Sequence, residues 1–144
     1  LFSVDGVELI SRLIEGKFPD YEKIIPKETK TKLEVSVEDL SLVLKRVSLF
    51  ARENNNSVKL SATNDGKLLV SSEETSVGEE KAEVAIKIEG ENNKISLNAQ
   101  YLLDVLTYIT DDKVLIVIND KASPALIKPV KEDVYVYIIM PLKV

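Results

Sequence analysis

The chain has 144 residues, 44% hydrophobic and 30% charged, with a formal net charge of −5, the profile of one soluble globular domain with enough apolar material for a core. It contains no Cys and no His, which excludes a disulfide, a thiol nucleophile, a zinc-thiolate centre and imidazole acid–base chemistry. No apolar run is long enough to cross a bilayer and no signal-peptide pattern opens the sequence; a reducing cytoplasm is compatible with this. The acidic balance argues against nucleic-acid binding over the whole surface and leaves room for a local basic face.

The first fourteen residues, Leu1–Ile14, read as two strand-like runs around an Asp5-Gly6 turn, a strong hairpin signal. A lone hairpin is marginal in water, so this one is expected to close a domain that precedes the chain. Gly16, Pro19 and Pro26 punctuate the next stretch, and a domain junction is placed at roughly Gly16 to Pro26. Phe18, Tyr21, Ile24 and Ile25 are apolar where a linker is usually polar, so the junction is expected to pack against a domain.

Beyond Pro26 the sequence predicts strand, helix and three strands. Lys32–Ser36 alternates as a strand does, and Ser36 is placed to cap a helix, with Asp39 three residues on. Val37, Leu40, Leu44, Val47 and Ala51 recur at spacings of three and four, predicting a helix to about Glu53, where Asn54-Asn55-Asn56 breaks it. Ser57–Thr63 and Lys67–Ser72 form a hairpin across Asn64-Asp65-Gly66, and Lys81–Glu89 is a third strand entered through the acidic stretch Glu73–Glu80.

The same order then recurs. Lys94–Asn98 matches Lys32–Ser36 at an offset of 62 residues, with Asn98 as the second helix cap and Leu102, Leu106 and Ile109 in the places of Leu40, Leu44 and Val47. Strands come next at Val114–Ile118, Ala125–Lys128 and Val134–Met140. A repeat of this length implies two equivalent halves, each covering the apolar face of the other. The fold class is α+β: a duplicated β-α-β-β-β unit with two helices packed on one curved, mostly antiparallel sheet.

Several surface features have two readings. Lys45, Arg46 and Arg52 lie on the first helix away from its core side, as a solvated face or as a surface that touches phosphates without reading bases. Leu49 and Phe50 cannot both face the core, so one is expected at an interface with another chain. Glu73, Glu74, Glu79, Glu80 and Glu83 form either a solubility patch or the charged rim of that interface. Asp104, Asp111, Asp112 and Asp120 could be assembled into a metal–carboxylate site, and an α+β hydrolase built on Asp104, Asp111 and Asp112 is the alternative reading, although Asp111-Asp112 sits where turn chemistry already explains it. No glycine-rich phosphate loop or nucleophile elbow is present. The last ten residues, Tyr135–Val144, are β-branched and aromatic up to Met140, then stop at Pro141 with Leu142 and Val144 still apolar. That is either an ordinary core strand or one wall of a site that another molecule covers.

Leu13–Tyr21, with Ile24-Ile25-Pro26 close behind, resembles the junction between the second and third domains of the bacterial DNA polymerase III β subunit, the sliding clamp. Asn98–Leu106 and the ending Tyr135–Leu142 are similar to further signatures of that family, so the resemblance covers essentially the whole chain. It implies that residues 1–21 are the remnant of a second domain and residues 22–144 the third domain of a clamp. It also implies a cytoplasmic, non-enzymatic replication factor without cofactor or metal: a head-to-tail homodimeric ring that slides on double-stranded DNA and confers processivity on DNA-directed DNA polymerase during strand elongation. Polymerase III α subunit, clamp loader and repair proteins carrying a clamp-binding motif would insert Leu and Phe anchors into a pocket. Carried over by position, the pocket comprises Pro19, Lys23 and Ile24; Asn98 and Tyr101; Ala122 and Pro124; and Ile138, Ile139, Met140, Pro141 and Leu142. Lys23 stands where the family often has Arg, whose planar fork it lacks. Lys45, Arg46 and Arg52 would face DNA, and Leu49, Phe50, Glu79, Glu80 and Glu83 would lie at the dimer interface. Each buried Leu or Phe anchor contributes about 1.5–3 kcal/mol, which for two anchors implies about micromolar affinity for a short peptide after ordering costs.

Overall fold

The computed structural model describes residues 1–16, 20–26, 28–73, 78–131 and 135–142. Phe18, Pro19, Glu74, Val134 and Val144, to which the sequence assigns strand, junction, rim or pocket positions, lie outside them.

The hairpin forms as its turn residues dictate. Asp5 and Gly6 both take positive φ, 47° and 79°, the pair of left-handed residues that a two-residue turn between twisted strands requires. The strands are β1 (Phe2–Val4) and β2 (Val7–Leu9), with Phe2 opposite Leu9 and Val4 opposite Val7. Those four apolar side chains share one face by the two-residue period, and all are exposed. Strand structure stops at Leu9, short of Ile14. A 3-10 turn occupies Tyr21–Lys23.

The duplicated unit is realised twice. Its first copy runs β3 (Thr31–Ser36), α1 (Val37–Ala51), β4 (Ser57–Thr63), β5 (Lys67–Ser72) and β6 (Lys81–Gly90). The second runs β7 (Asn93–Asn98), α2 (Ala99–Tyr108), β8 (Lys113–Ile118), β9 (Ala125–Pro129) and β10 (Tyr137–Ile139). Both helices start where a polar side chain accepts their first free amides. Ser36 Oγ accepts from Asp39 N (3.2 Å), and Asn98 Oδ1 accepts from Gln100 N (2.9 Å) and Tyr101 N (3.4 Å). α1 ends at Ala51, two residues before the expected Glu53: Ala51 O accepts from both Asn54 N and Asn56 N, and Asn55 and Asn56 turn left-handed.

The strands form one eight-stranded sheet in the order β10-β9-β8-β3-β6-β5-β4-β7, antiparallel at every pairing. The halves interlock, because β3 pairs with β8 of the second half and β7 with β4 of the first. The helices pack against each other and bury Leu40, Leu44 and Val47 of α1 and Leu102 and Val105 of α2 against Leu33, Leu60, Ile95, Ile116 and other inward strand residues. Each such side chain contributes about 1.5–3 kcal/mol through burial.

Two features mark the equivalence of the halves and its limit. Thr31 and Asn93, 62 residues apart and therefore equivalent, meet: Asn93 Nδ2 donates to Thr31 Oγ1 (3.1 Å) and to Asn119 O (3.1 Å), while Thr31 Oγ1 donates to Glu91 O (2.9 Å). Gly90, at φ +107°, lets the backbone pass there, since a Cβ on it would lie 1.9 Å from Lys30 O. The third strands differ, however. β6 has ten residues, pairing with β5 through 81–85 and with β3 through 86–90. Among the described residues β10 has three and pairs with β9 alone, shorter than the expected Val134–Met140. Among the described residues no helix is long and apolar enough to cross a membrane.

Candidate functional site

The site arises from the shortness of β10. Pro141 has no N–H to continue a ladder, and among the described residues the tail reaches β7 through one backbone bond, Leu142 N to Ser96 O (2.9 Å). Between the tail, the outer faces of β4 and β7 and the β8–β9 loop lies a cleft of about 420 Å³. Ala122, Met140, Pro141 and Leu142 give it an apolar lining, and Lys59, Lys94, Lys121, Ser96 and Glu73 complete it, while Ile95 borders it with its side chain buried in the core. Met140 is 61% exposed, an unusual state for a flexible apolar side chain that could otherwise fill a core gap.

The loop that carries Ala122 is held by Asp120. Its carboxylate accepts from Ala122 N (2.7 Å), Ser123 N (2.7 Å) and Ser123 Oγ (2.8 Å). The Ser123 hydroxyl, then those two amides, hold its carboxyl below the usual Asp range, helped by the charge of Lys30. At the tail, burial pushes the Tyr137 phenol up, with Asp104 and Tyr101 adding to the shift. Burial likewise raises Tyr135, whose hydroxyl lies 3.5 Å from Val105 O.

Of the residues expected in a pocket, the structure brings Ala122, Met140, Pro141 and Leu142 together in this cleft. Ile138 is half-buried opposite Leu126 and Ile139 is buried opposite Ala125, both within the sheet. Pro124 is half-buried at the approach to β9. Asn98 is occupied as the α2 cap and also donates to Asn55 O (3.1 Å), and Tyr101 is 52% exposed on α2. Lys23 and Ile24 do not line the cleft. Lys23 pairs with Asp20 (3.1 Å) and Ile24 is 41% exposed on the 3-10 turn, because that short turn has no buried residue to anchor it.

Sequence reasoning missed the β4 and β7 side of the cleft. The signal was present in the repeat. Leu33 of β3 has a neighbour on each side, Ile88 and Ile116, whereas its counterpart Ile95 lies beyond the reach of a third strand that Pro141 cuts short.

Lys45 and Arg46 are exposed on α1 and Arg52 is exposed at its C-cap. Leu49 is exposed, and Phe50 is half-buried beside Gly78, whose added Cβ would sit 3.8 Å from the ring. The acidic residues find cations within the chain: Glu79 with Lys81 (2.6 Å), Glu80 with Arg46 (2.9 Å) and Glu83 with Lys67 (3.0 Å). The last pair raises the Lys67 pKa through its hydrogen bond and charge. The Asp residues of the hydrolase reading are engaged separately. Asp104 accepts from Gln100 Nε2 (2.8 Å) and Asp111 from Lys131 N (2.8 Å). Among the described residues no three carboxylates gather as a metal site would need.

The family model for the DNA polymerase III beta subunit, C-terminal domain, matches residues 22–143. The chain belongs to that family. Over 144 residues it is 35% identical to the beta sliding clamps of Staphylococcus epidermidis and Staphylococcus aureus, covering 99% of this chain and 38% of theirs. Among solved structures it resembles the Thermotoga maritima DNA polymerase III beta subunit, with a TM-score of 0.86 at 34% identity, over 92% of this chain and 36% of that one. A Pseudomonas aeruginosa sliding clamp bound to griselimycin superposes with a TM-score of 0.85 at 30% identity, over 93% and 36%. The architecture of two helices on an eight-stranded sheet is thus the clamp fold, and the chain spans about 38% of the length of the curated clamp relatives it matches. The clamp family supports the replication reading of the sequence and gives no support to the carboxylate–metal hydrolase.

Proposed function

We propose that the chain is part of a bacterial replicative sliding clamp, the β subunit of DNA polymerase III: a non-enzymatic processivity factor that acts in the cytoplasm. Residues 22–144 make its third domain, and residues 1–21 close the second. In the complete protein, a homodimeric ring encircles duplex DNA and holds polymerase III α subunit, clamp loader and repair proteins through a peptide cleft. The observation that carries this reading is the tail cleft of a clamp-family chain, with the exposed Met140 beside Pro141 and Leu142. An apolar, open socket of that size suits one or two anchor side chains. Lys23, Ile24 and Pro19 would join it from the domain junction, and Asn98, Tyr101, Pro124, Ile138 and Ile139 would support it.

Lys45, Arg46 and Arg52 supply diffuse phosphate contacts suited to sliding. With Arg46 already paired to Glu80, those contacts are weak in a single domain. Leu49 and Phe50, with Glu79, Glu80 and Glu83, form the dimer surface. The test is calorimetric titration of the 144-residue chain with a peptide bearing Leu and Phe anchors. Met140→Ala, or removal of residues 141–144, is expected to weaken binding about tenfold, the loss of roughly half an anchor's burial. Unchanged affinity with an intact fold would overturn the assignment.

A further inference from the structure

The tail cleft is apolar within and cationic at its rim. Lys59 projects from β4, Lys94 from β7 and Lys121 from the β8–β9 loop, and all three line it. Lys59 and Lys94 stand on one face of the sheet. Lys59 is directly opposite Ser96, and Lys94 lies two residues from Ser96 along β7. Such diagonal neighbours are roughly 7–8 Å apart, close enough for like charges to oppose each other. That face is turned away from the helices, because the alternate residues Val58, Leu60 and Ala62 of β4 are the buried ones.

Elsewhere several lysines are neutralised, although Lys30, Lys32 and Lys45 also stand without an ion pair among the described residues. Lys23, Lys67, Lys81 and Lys113 each hold a carboxylate within 3.1 Å. Among the described residues Lys59, Lys94 and Lys121 have no such partner, although the chain carries 24 acidic residues against 19 basic ones. The one carboxylate in the cleft wall, Glu73, takes a hydrogen bond from Asn54 Nδ2. Three unpartnered ammonium groups thus converge on an apolar cleft in an acidic molecule, an arrangement that intrachain stability does not favour and that an incoming anion relieves.

Building on the docking role of the tail cleft, we propose that Lys59, Lys94 and Lys121 select partner segments that carry a carboxylate side chain beside the apolar anchor. Lys94 and Lys121 fix where that carboxylate goes. Both also line a second cleft, of about 480 Å³, beside the β6–β7 turn. A segment whose anchor fills the tail cleft and whose backbone continues into the second one passes both of these lysines. The apolar lining identifies the occupant as a peptide, since a nucleic-acid backbone has no use for Met140, Pro141 and Leu142.

The test uses the 144-residue chain and two peptides that share Leu and Phe anchors and differ only in Glu or Gln at the flanking position. At low salt the Glu peptide is expected to bind about fivefold tighter, with the ratio shrinking as salt is raised. In the triple variant K59A/K94A/K121A the ratio falls to about one, and in K94E/K121E it inverts. If both peptides bind the unaltered chain equally, the selectivity is refuted and the docking role stands. If neither binds, the docking role fails and the selectivity with it. Displacement of the Glu peptide by a short DNA duplex would assign the lysines to phosphates and also overturn the proposal.

Discussion

Asp120 shows how one side chain sets the shape of a binding wall. Three hydrogen bonds to its carboxylate keep Ala122 and Ser123 in place, and they favour the charged form, so its folded pKa lies below its unfolded one. The stabilisation is therefore complete above the ordinary Asp value of about 4 and is lost as pH falls through the depressed folded value. The amide resonances of Ala122 and Ser123 should stay constant down to a pH of about 4 and move only below it. In Asp120→Asn they should be displaced at every pH without titrating. A midpoint at the ordinary Asp value would refute the hydrogen-bonded geometry.

At the scale of elements, the cap residues were the most legible part of the sequence. Ser36 and Asn98, each ahead of an apolar three-four rhythm, fix two helix starts that the structure reproduces at Val37 and Ala99, since capping is local chemistry. Asn98→Ala should destabilise the chain by about 1 kcal/mol in urea denaturation, the usual loss for an N-cap, and speed hydrogen exchange at the Gln100 amide. A weaker peptide affinity in that variant would then report a frayed α2 rather than a lost contact. The end of the chain was less legible. Its composition predicts a long strand, but strand length is set by the partner available. β9 offers β10 a ladder over three residues only, and Pro141 prevents its transfer to β7. For the same reason the cleft was half readable: Met140, Pro141 and Leu142 are consecutive, whereas Lys59, Lys94 and Lys121 come together only through the β4–β7 register and the β8–β9 loop.

The whole molecule is two halves that each complete the other's sheet. β7 pairs with β4 of the first half, and β3 is flanked on one side by β8 of the second, so neither half can close its layer alone. Residues 22–92 and 93–144, produced separately, should each give the poorly dispersed amide spectrum of an unfolded chain. Mixing them should recover the dispersed one. Independent folding of either piece would contradict the interlocked sheet. The repeat itself was visible in the sequence because a 62-residue offset survives in two strand–helix openings; the interlock was not, since pairing between distant strands leaves no local pattern.

Where the two halves cross, Thr31 and Asn93 occupy equivalent positions and hold each other. In a pair of identical halves, that crossing would set like against like. In this single polypeptide the two positions differ, one as acceptor and one as amide donor. The halves are consequently not interchangeable: doubling either would make the two sides alike and forfeit the mismatched pair fastened at the centre.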